Sequence, residues 1–387
     1  MYFSYSGDQT TMLEIVEGAT RQTQYTYDSR GRAVAIRDPL AGVSTIAWNA
    51  QDNPIRLVNS RGYTTTFTYD GQSSLLTVTN ALGHSERYSY TATCCNQPTA
   101  YTDARGNVTR YEYDSRGNLV RATDPLNHTT SYTYDAAGKL TSITDPAGRT
   151  TRQEYDVHGQ LIRVTDPMSR SIVFTYDAAG NRTSQTDWQG NTSRFIYDAA
   201  GHLLSSTDPL SRTTRYAYDA VGNLITFTDA LNRIWRLEYD ALNRVTALVN
   251  PLGQRIRYAG DAADNLTGLT NAAGHSINFG YDALDALLRQ ADALGNTTAF
   301  ERDMMGNITR RVDSNGQATT VTLDVLGRGL QANYPDGDPV TYAYDVAGNT
   351  IGMTNTQASL RYTYDAANRL SSVTSDIFAL AARKTVS

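Results

Sequence analysis

The chain repeats itself every 21 residues, and so short a period leaves few folds open. Aligned on the residue that precedes a turn aspartate, the sequence has anchors at Tyr5, Tyr27, Trp48, Tyr69, Tyr90, Tyr113, Tyr134, Tyr155 and Tyr176. They continue at Tyr197, Tyr218, Tyr239, Gly260, Tyr281, Arg302, Leu323, Tyr344 and Tyr364. Fourteen of the seventeen steps are 21 residues, and the others are 22, 23 and 20. A fixed period of roughly 20–50 residues marks stacked supersecondary units, each burying its apolar face against the next. No linker interrupts the pattern. Residues 1–374 read as one array and 375–387 as a non-repeat tail.

The stretch "YTYDAAGKLTSITDPAGRTT", residues 132–151, is a representative unit. Tyr132 and Tyr134 share one face of a strand while Thr133 takes the other, and Thr141 and Ile143 alternate with Leu140, Ser142 and Thr144. Gly, Pro and Asp return every ten or eleven residues, too often for a helix. The 26 tyrosines and frequent Thr and Gly favour strands and tight turns. Each unit reads as two short strands and two turns, giving an all-β array of about eighteen hairpins in a long curved antiparallel sheet.

The representative unit carries two aspartates, Asp135 and Asp145, each followed three residues later by Gly138 or Gly148, and this pattern returns down almost the whole chain. Turn chemistry accounts for both. A type I turn prefers Asp first, Pro second, as at Pro146, and Gly fourth, and the Asp carboxylate accepts from a backbone N–H two residues on. If the fourth position must be left-handed, Asn or Asp are its main substitutes. Asp52, Asp264, Asp285, Asn243, Asn368, Asn127 and Asn232 occupy it where Gly is lost; Ser73, Ser169 and Ser211 do not fit the rule. Calcium-loaded β-rolls use denser glycine and parallel strands, so no metal or cofactor is assigned and no catalytic residue is found.

Other chemistries find little support. A net charge of −5 with Lys nearly absent offers no basic surface for nucleic acid. No apolar run approaches the roughly 18 residues needed to span a bilayer. The start, "MYFSYSGDQT", lacks the features of a secretory signal. Cys94 and Cys95 are adjacent and read as plain thiols. His84, His128, His158, His202 and His275 fall in or beside turns of different units without metal-ligand spacing. Sequons such as Asn107-Val108-Thr109 arise from the repeat's own grammar. Tyrosine stripes could stack on sugars, which makes carbohydrate or cell-surface binding the rival function.

The unit, written x-Y-x-Y-D-x-x-G-N-L-x-x-x-T-D-P-x-G-R-T-T, resembles the YD repeat of Rhs proteins. That repeat also occurs in the C components of insecticidal Tc toxins and in teneurins. "YTYDAAGKLTSITDPAGRTT" and "YAYDAVGNLITFTDALNRIW" are both close to it. The resemblance implies a sheet spiralling into a hollow shell, which encloses a C-terminal toxin in bacterial members and supports adhesion in teneurins. It implies a structural shell segment with the toxin domain or remaining shell as partner, made in the cytoplasm and exported within a parent protein. The family's self-cleaving core segment has no counterpart here, and residue 1 already lies inside a unit.

Two expectations concern shape and stability. About 36 strands at about 4.8 Å spacing make a ribbon ~170 Å long, or one ring ~55 Å across. Aromatic pairs such as Phe67/Tyr69, Tyr88/Tyr90, Phe174/Tyr176 and Tyr362/Tyr364 suggest a ring ladder along it. Units anchored by Gly260, Arg302 and Leu323 lack the ring and define a weak stretch, 258–325. The uncapped sheet ends favour self-association.

Overall fold

The computed structural model describes residues 2–16, 19–91 and 96–377, so the paired cysteines and most of the tail lie outside the described residues. It is all-β. Thirty-six strands run from Tyr2–Ser6 to Leu370–Ile377, most of them five or six residues long. Each pairs antiparallel with its neighbour in the chain. The sheet is a continuous meander. All turns that follow the anchor residue (the first turns) lie along one edge, and all turns of the Asp-Pro-x-Gly kind (the second turns) along the other. Pairing continues to Ile377, three residues past the boundary read from the repeat at 374.

The turns have the backbone that the sequence pattern calls for. Gly138 N–H donates to the Asp135 carbonyl at 3.1 Å, and Asp135 N–H to the Lys139 carbonyl at 2.9 Å. Gly148 and Asp145 do the same at 2.9 Å, with Asp145 closing on Arg149 at 3.0 Å. Gly138 and Gly148 have φ of 81° and 78°, the left-handed residue that follows a type I turn in a hairpin. The seven Asn and Asp substitutes are all left-handed, with φ between 59° and 66°. Ser73, Ser169 and Ser211 are left-handed too, at 66°, 64° and 64°, and so is Ala41 at 66°. The serines that break the residue rule therefore keep the geometry and carry strain.

One feature of each unit was not legible as an expectation. Across the first turn the register slips by one residue: Thr133 faces Ser142 while Tyr134 faces Leu140, leaving Thr141 as a bulge. The same slip recurs from Thr26/Tyr27 to Thr363/Tyr364. The second-turn hairpins show none; Ser142, Ile143 and Thr144 face Arg152, Thr151 and Thr150 without a break. A bulge bends its strand and adds right-handed twist. One bulge per hairpin, always beside the same edge, bends the whole ribbon in one sense.

The bend brings the chain back over itself, so the single wide ring expected from the strand count is not what forms. The turn at Arg61 touches those at Asp303 and Asp324, and the turn at Arg105 touches those at Asp345 and Asp365. Each of these second turns sits between the first turns twelve and thirteen units later. One coil therefore takes about 24 strands, ~115 Å round and ~37 Å across at 4.8 Å per strand. The remaining units start a second coil stacked on the first. The sheet is one layer throughout: Ala247 and Ala332 are the only buried apolar residues among the described ones. Neighbour-to-neighbour terms must then supply the stability, as in other repeat arrays.

The strained turn positions are directly testable. Ala41→Gly, Ser169→Gly and Ser211→Gly are each expected to stabilise the chain by about 1 kcal/mol, and Gly148→Ala to destabilise it by about as much. Urea denaturation followed by circular dichroism measures both; three glycine variants that lower the midpoint contradict the geometry.

Candidate functional site

The repeated aspartates, replaced by asparagine in a few turns such as Asn49 and Asn59, open most of the corners, so their chemistry comes first. Asp135 Oδ1 accepts the N–H of Ala137 at 2.8 Å and of Lys139 at 2.9 Å. Asp145 Oδ1 does the same with Ala147 and Arg149, both at 2.9 Å. The second oxygen usually takes the side chain four residues on. Arg149 Nε donates to Asp145 Oδ2 at 2.6 Å, and Asn118 Nδ2 to Asp114 Oδ2 at 2.9 Å. Each of these carboxylates thus closes its own turn through Oδ1, and where the residue four on is Arg, Asn or His the second oxygen is usually engaged as well. Among the described residues, no group of three or more His, Cys, Asp or Glu could hold a metal ion. His128 and His202 act as local partners of the same kind, with Nδ1 at 3.1 and 2.9 Å from Asp124 and Asp198.

These donors favour the charged carboxylate. The side-chain amide of Asn118 and the backbone N–H groups hold Asp114 below the ordinary range. The backbone N–H of Arg149 and then its guanidinium do so for Asp145. Asp28, bound first by the Arg32 side chain, is lowered to about 2. Depressed folded values mean stability that is present above the unfolded value of about 4 and is lost as pH falls through the folded ones. The thermal midpoint is therefore expected to be flat above the ordinary carboxylate range and to drop between pH about 4 and about 2. A midpoint unchanged down to pH 2 in a melting series would contradict this.

The anchor tyrosine does more than pack. Tyr134 donates its hydroxyl to the Leu119 carbonyl at 2.9 Å, fifteen residues back in the preceding unit. Tyr155 does the same to Leu140 at 3.0 Å, and Tyr176 to Leu161 at 2.8 Å. Leu140 lies beyond Ser142–Arg152, the last registered pair of its ladder with the next strand. The hydroxyl carries the hydrogen bonding on past the bulge and rivets adjacent units together. Other donors can substitute: Trp48 Nε1 reaches the Ala33 carbonyl at 2.8 Å, and Arg302 reaches Leu287 with Nη2 at 3.2 Å. Gly260 and Leu323 carry no such group.

The ring ladder is corrected by the register. Tyr132 faces Ile143, which faces Thr151. Each unit has two strands, so anchor rings recur about 9.6 Å apart with aliphatic or polar residues between them. Ring pairs between strands form where the intervening strand is itself aromatic, as at Tyr88–Tyr101, 5.3 Å, and Phe227–Trp235, 5.7 Å. The weak stretch narrows accordingly to the units of Gly260 and Leu323. Hydrogen exchange is expected to be fastest in strands Arg255–Gly260 and Ala318–Leu323 among the inner strands. Protection there equal to that at Thr150–Tyr155 would count against the hydroxyl rivet.

The two edges of the sheet meet where the coils stack, in a seam of side-chain contacts between turns more than 240 residues apart in sequence. Arg61 Nη1 lies 3.1 Å from Asp303 Oδ2, and Ser60 Oγ donates to the Met304 carbonyl at 2.9 Å. Arg105 Nη1 donates to the Asp365 carbonyl at 3.1 Å and to Asn368 Oδ1 at 3.0 Å, while Asn368 Nδ2 donates to Asp103 Oδ2 at 3.2 Å. Arg21 pairs with Asp285 at 2.7 Å. Apolar turn tips fill the gaps between these contacts: Leu82 from the first coil and Leu326 from the second are 40% and 39% exposed. Ala81, Met305, Val325 and Leu326 line one cavity together at the seam. Burial raises the phenol of Tyr101, which packs against Tyr88, to about 12, with the Glu86 charge adding to the effect.

A coiled single-layer sheet of two-stranded units, most of its corners closed by aspartate, is the architecture of a repeat protein. The RHS Repeat family matches residues 48–85, 96–129, 113–150, 155–192, 197–226, 218–255, 239–277, 260–297, 281–318 and 344–376. The chain belongs to that family. Its fold is shared with the crystal structure of TcdB2–TccC3–Cdc42, at TM-score 0.78 and 16% identity over 94% of this chain and 24% of the other. TcdB2–TccC3 without its hypervariable C-terminal region gives 0.77 and 16% over the same shares. The Tc holotoxin pore of Photorhabdus luminescens gives 0.61 and 16%, again over 94% and 24%. This chain spans about a quarter of the length of those chains. No curated protein matches it in sequence. Among the described residues no helix is long and apolar enough to cross a membrane.

Proposed function

We propose that this chain is a non-catalytic wall segment of an RHS-type shell, which encloses a C-terminal toxin domain and carries it between cells. The seam carries the reading: a ribbon that returns on itself after about twelve units, and docks edge to edge through Arg61 and Arg105, builds a closed wall from a repeated hairpin. The turn carboxylates support a structural role, since their oxygens are taken up by backbone N–H groups and by Arg or Asn side chains. Carbohydrate binding is the weaker alternative. Most anchor rings that would serve as sugar platforms are only half-exposed and donate their hydroxyls to neighbouring carbonyls.

Protease protection tests the proposal. In a polypeptide that carries these repeats together with the sequence encoded after them, the C-terminal region is expected to resist trypsin while the coils are intact. It should become sensitive when the coils are unfolded with urea. A C-terminal region cut equally fast in both states overturns the enclosure reading.

A further inference from the structure

The charges across the seam are matched turn by turn. On the second coil the first turns alternate in how they balance their own carboxylate. Asp324 and Asp365 each hold the guanidinium of their own turn, Arg328 Nε at 2.7 Å and Arg369 Nε at 2.8 Å. Asp303 and Asp345 hold only amides, Asn307 Nδ2 at 3.0 Å and Asn349 Nδ2 at 2.9 Å, so their own turns leave the charge unbalanced. The first coil supplies a cation at those two places: Arg61 Nη1 lies 3.1 Å from Asp303 Oδ2, and Arg105 Nη1 3.8 Å from Asp345 Oδ2. Toward the turns that are already balanced, the same arginines donate to backbone carbonyls instead, of Asp324 at 3.4 Å and of Asp365 at 3.1 Å. Arg21 likewise pairs with Asp285, whose turn carries no cation of its own.

These pairs are sheltered where the arginine pairs within single turns are not. The side chains of Arg21, Arg61 and Arg105 are 12%, 18% and 24% exposed, against 70% for Arg149 and 65% for Arg212. Asp103, buried beside Arg105, adds a carboxylate whose second oxygen is held by the amides of Asn107 and Asn368. Strands, in contrast, touch only their neighbours in the chain, so no ladder crosses the seam.

We infer that Arg21, Arg61 and Arg105 form a latch that holds one coil on the next and is released without unfolding any hairpin. Removing a guanidinium strands a sheltered carboxylate against a second acidic row, and that charge regains water only when the coils part. The hairpins lose no strand pairing by parting, because their stability comes from adjacent units. Released, the stacked coils become an extended spring with a slit along the seam. The inference concerns the seam alone and holds whatever the wall encloses.

Small-angle scattering and sedimentation velocity on the monomeric full chain test it, with circular dichroism reporting the strands. Arg21→Gln/Arg61→Gln/Arg105→Gln is expected to show a larger radius of gyration and a lower sedimentation coefficient than wild type, with the strand signal kept. Each lost pair should shift the balance toward the open form by about tenfold or more. Arg149→Gln/Arg212→Gln/Arg233→Gln removes as many charges from exposed pairs within single turns and should leave the dimensions unchanged. Adding Asp285→Asn/Asp303→Asn/Asp345→Asn to the first variant takes away the stranded charges and should bring the coils back together. Asparagine already opens turns at Asn59 and Asn80, so the corners tolerate it. A first variant with wild-type dimensions overturns the inference. So does one that expands only as its strand signal is lost, or that stays expanded once the three carboxylates are neutral.

Discussion

The structure depends on one interaction, an aspartate carboxylate holding two backbone N–H groups of its own turn ahead of a left-handed residue. That cluster fixes the corner of each hairpin in a single geometry, and the corner fixes the register of the strands it joins. Register in a sheet decides which side chains share a face, because a slip of one residue exchanges the faces. In this chain no second layer could correct a slip: Ala247 and Ala332 are the only buried apolar residues described. The corners must therefore do locally what a hydrophobic core does elsewhere. This explains why the aspartate recurs in nearly every turn, and why residues that pack poorly in strands are tolerated between corners that are closed.

The tyrosine hydroxyl and the bulge form the second level. The bulge beside each first turn bends the ribbon but ends the ladder to the next strand early, leaving a carbonyl such as that of Leu140 beyond the last pair. An unpaired carbonyl costs free energy when water is kept from it. Tyr155 supplies the missing donor from the next unit at 3.0 Å. Curvature and cohesion therefore share an origin. The group that the bend leaves over becomes the acceptor that binds one unit to the next. Trp48 and Arg302 show that the requirement is for a donor at that reach rather than for a phenol.

Much of this was legible in the sequence because it is local. The 21-residue period gave the strand number, and the Asp-x-x-Gly spacing gave the turns; the Asn and Asp exchanges even marked the left-handed positions, such as Asn127 and Asp264. What was missed depends on how units sit against each other. The slip at Thr133/Tyr134 changes no residue type, so no pattern announces it. The ring ladder failed because counting aromatics along the chain ignores the strand that intervenes, here the one bearing Ile143. The diameter failed for a related reason: strand spacing sets the ribbon's length, but the bend per bulge sets how soon it closes. Arg61 and Arg105 read as ordinary turn residues until the coil brought Asp303 and Asp365 to them.

The seam also settles why the coil has the circumference it does. A second turn bridges the strands of two successive units, so it stands half a unit out of step with the first turns. Stacked at twelve units per coil, each second turn falls in a notch between two first turns. Arg61 accordingly reaches both Asp303 and Asp324, and Arg105 both Asp345 and Asp365. A coil longer or shorter by a whole unit would restore the same meshing with other partners. A change of half a unit would set tip against tip, separating the guanidinium groups from their acceptors and prying apart the apolar tips. Twist from the bulges brings the ribbon near closure, and the notches then select a whole number of units. The wall's diameter is thus fixed by two short-range effects, neither of which extends beyond adjacent hairpins.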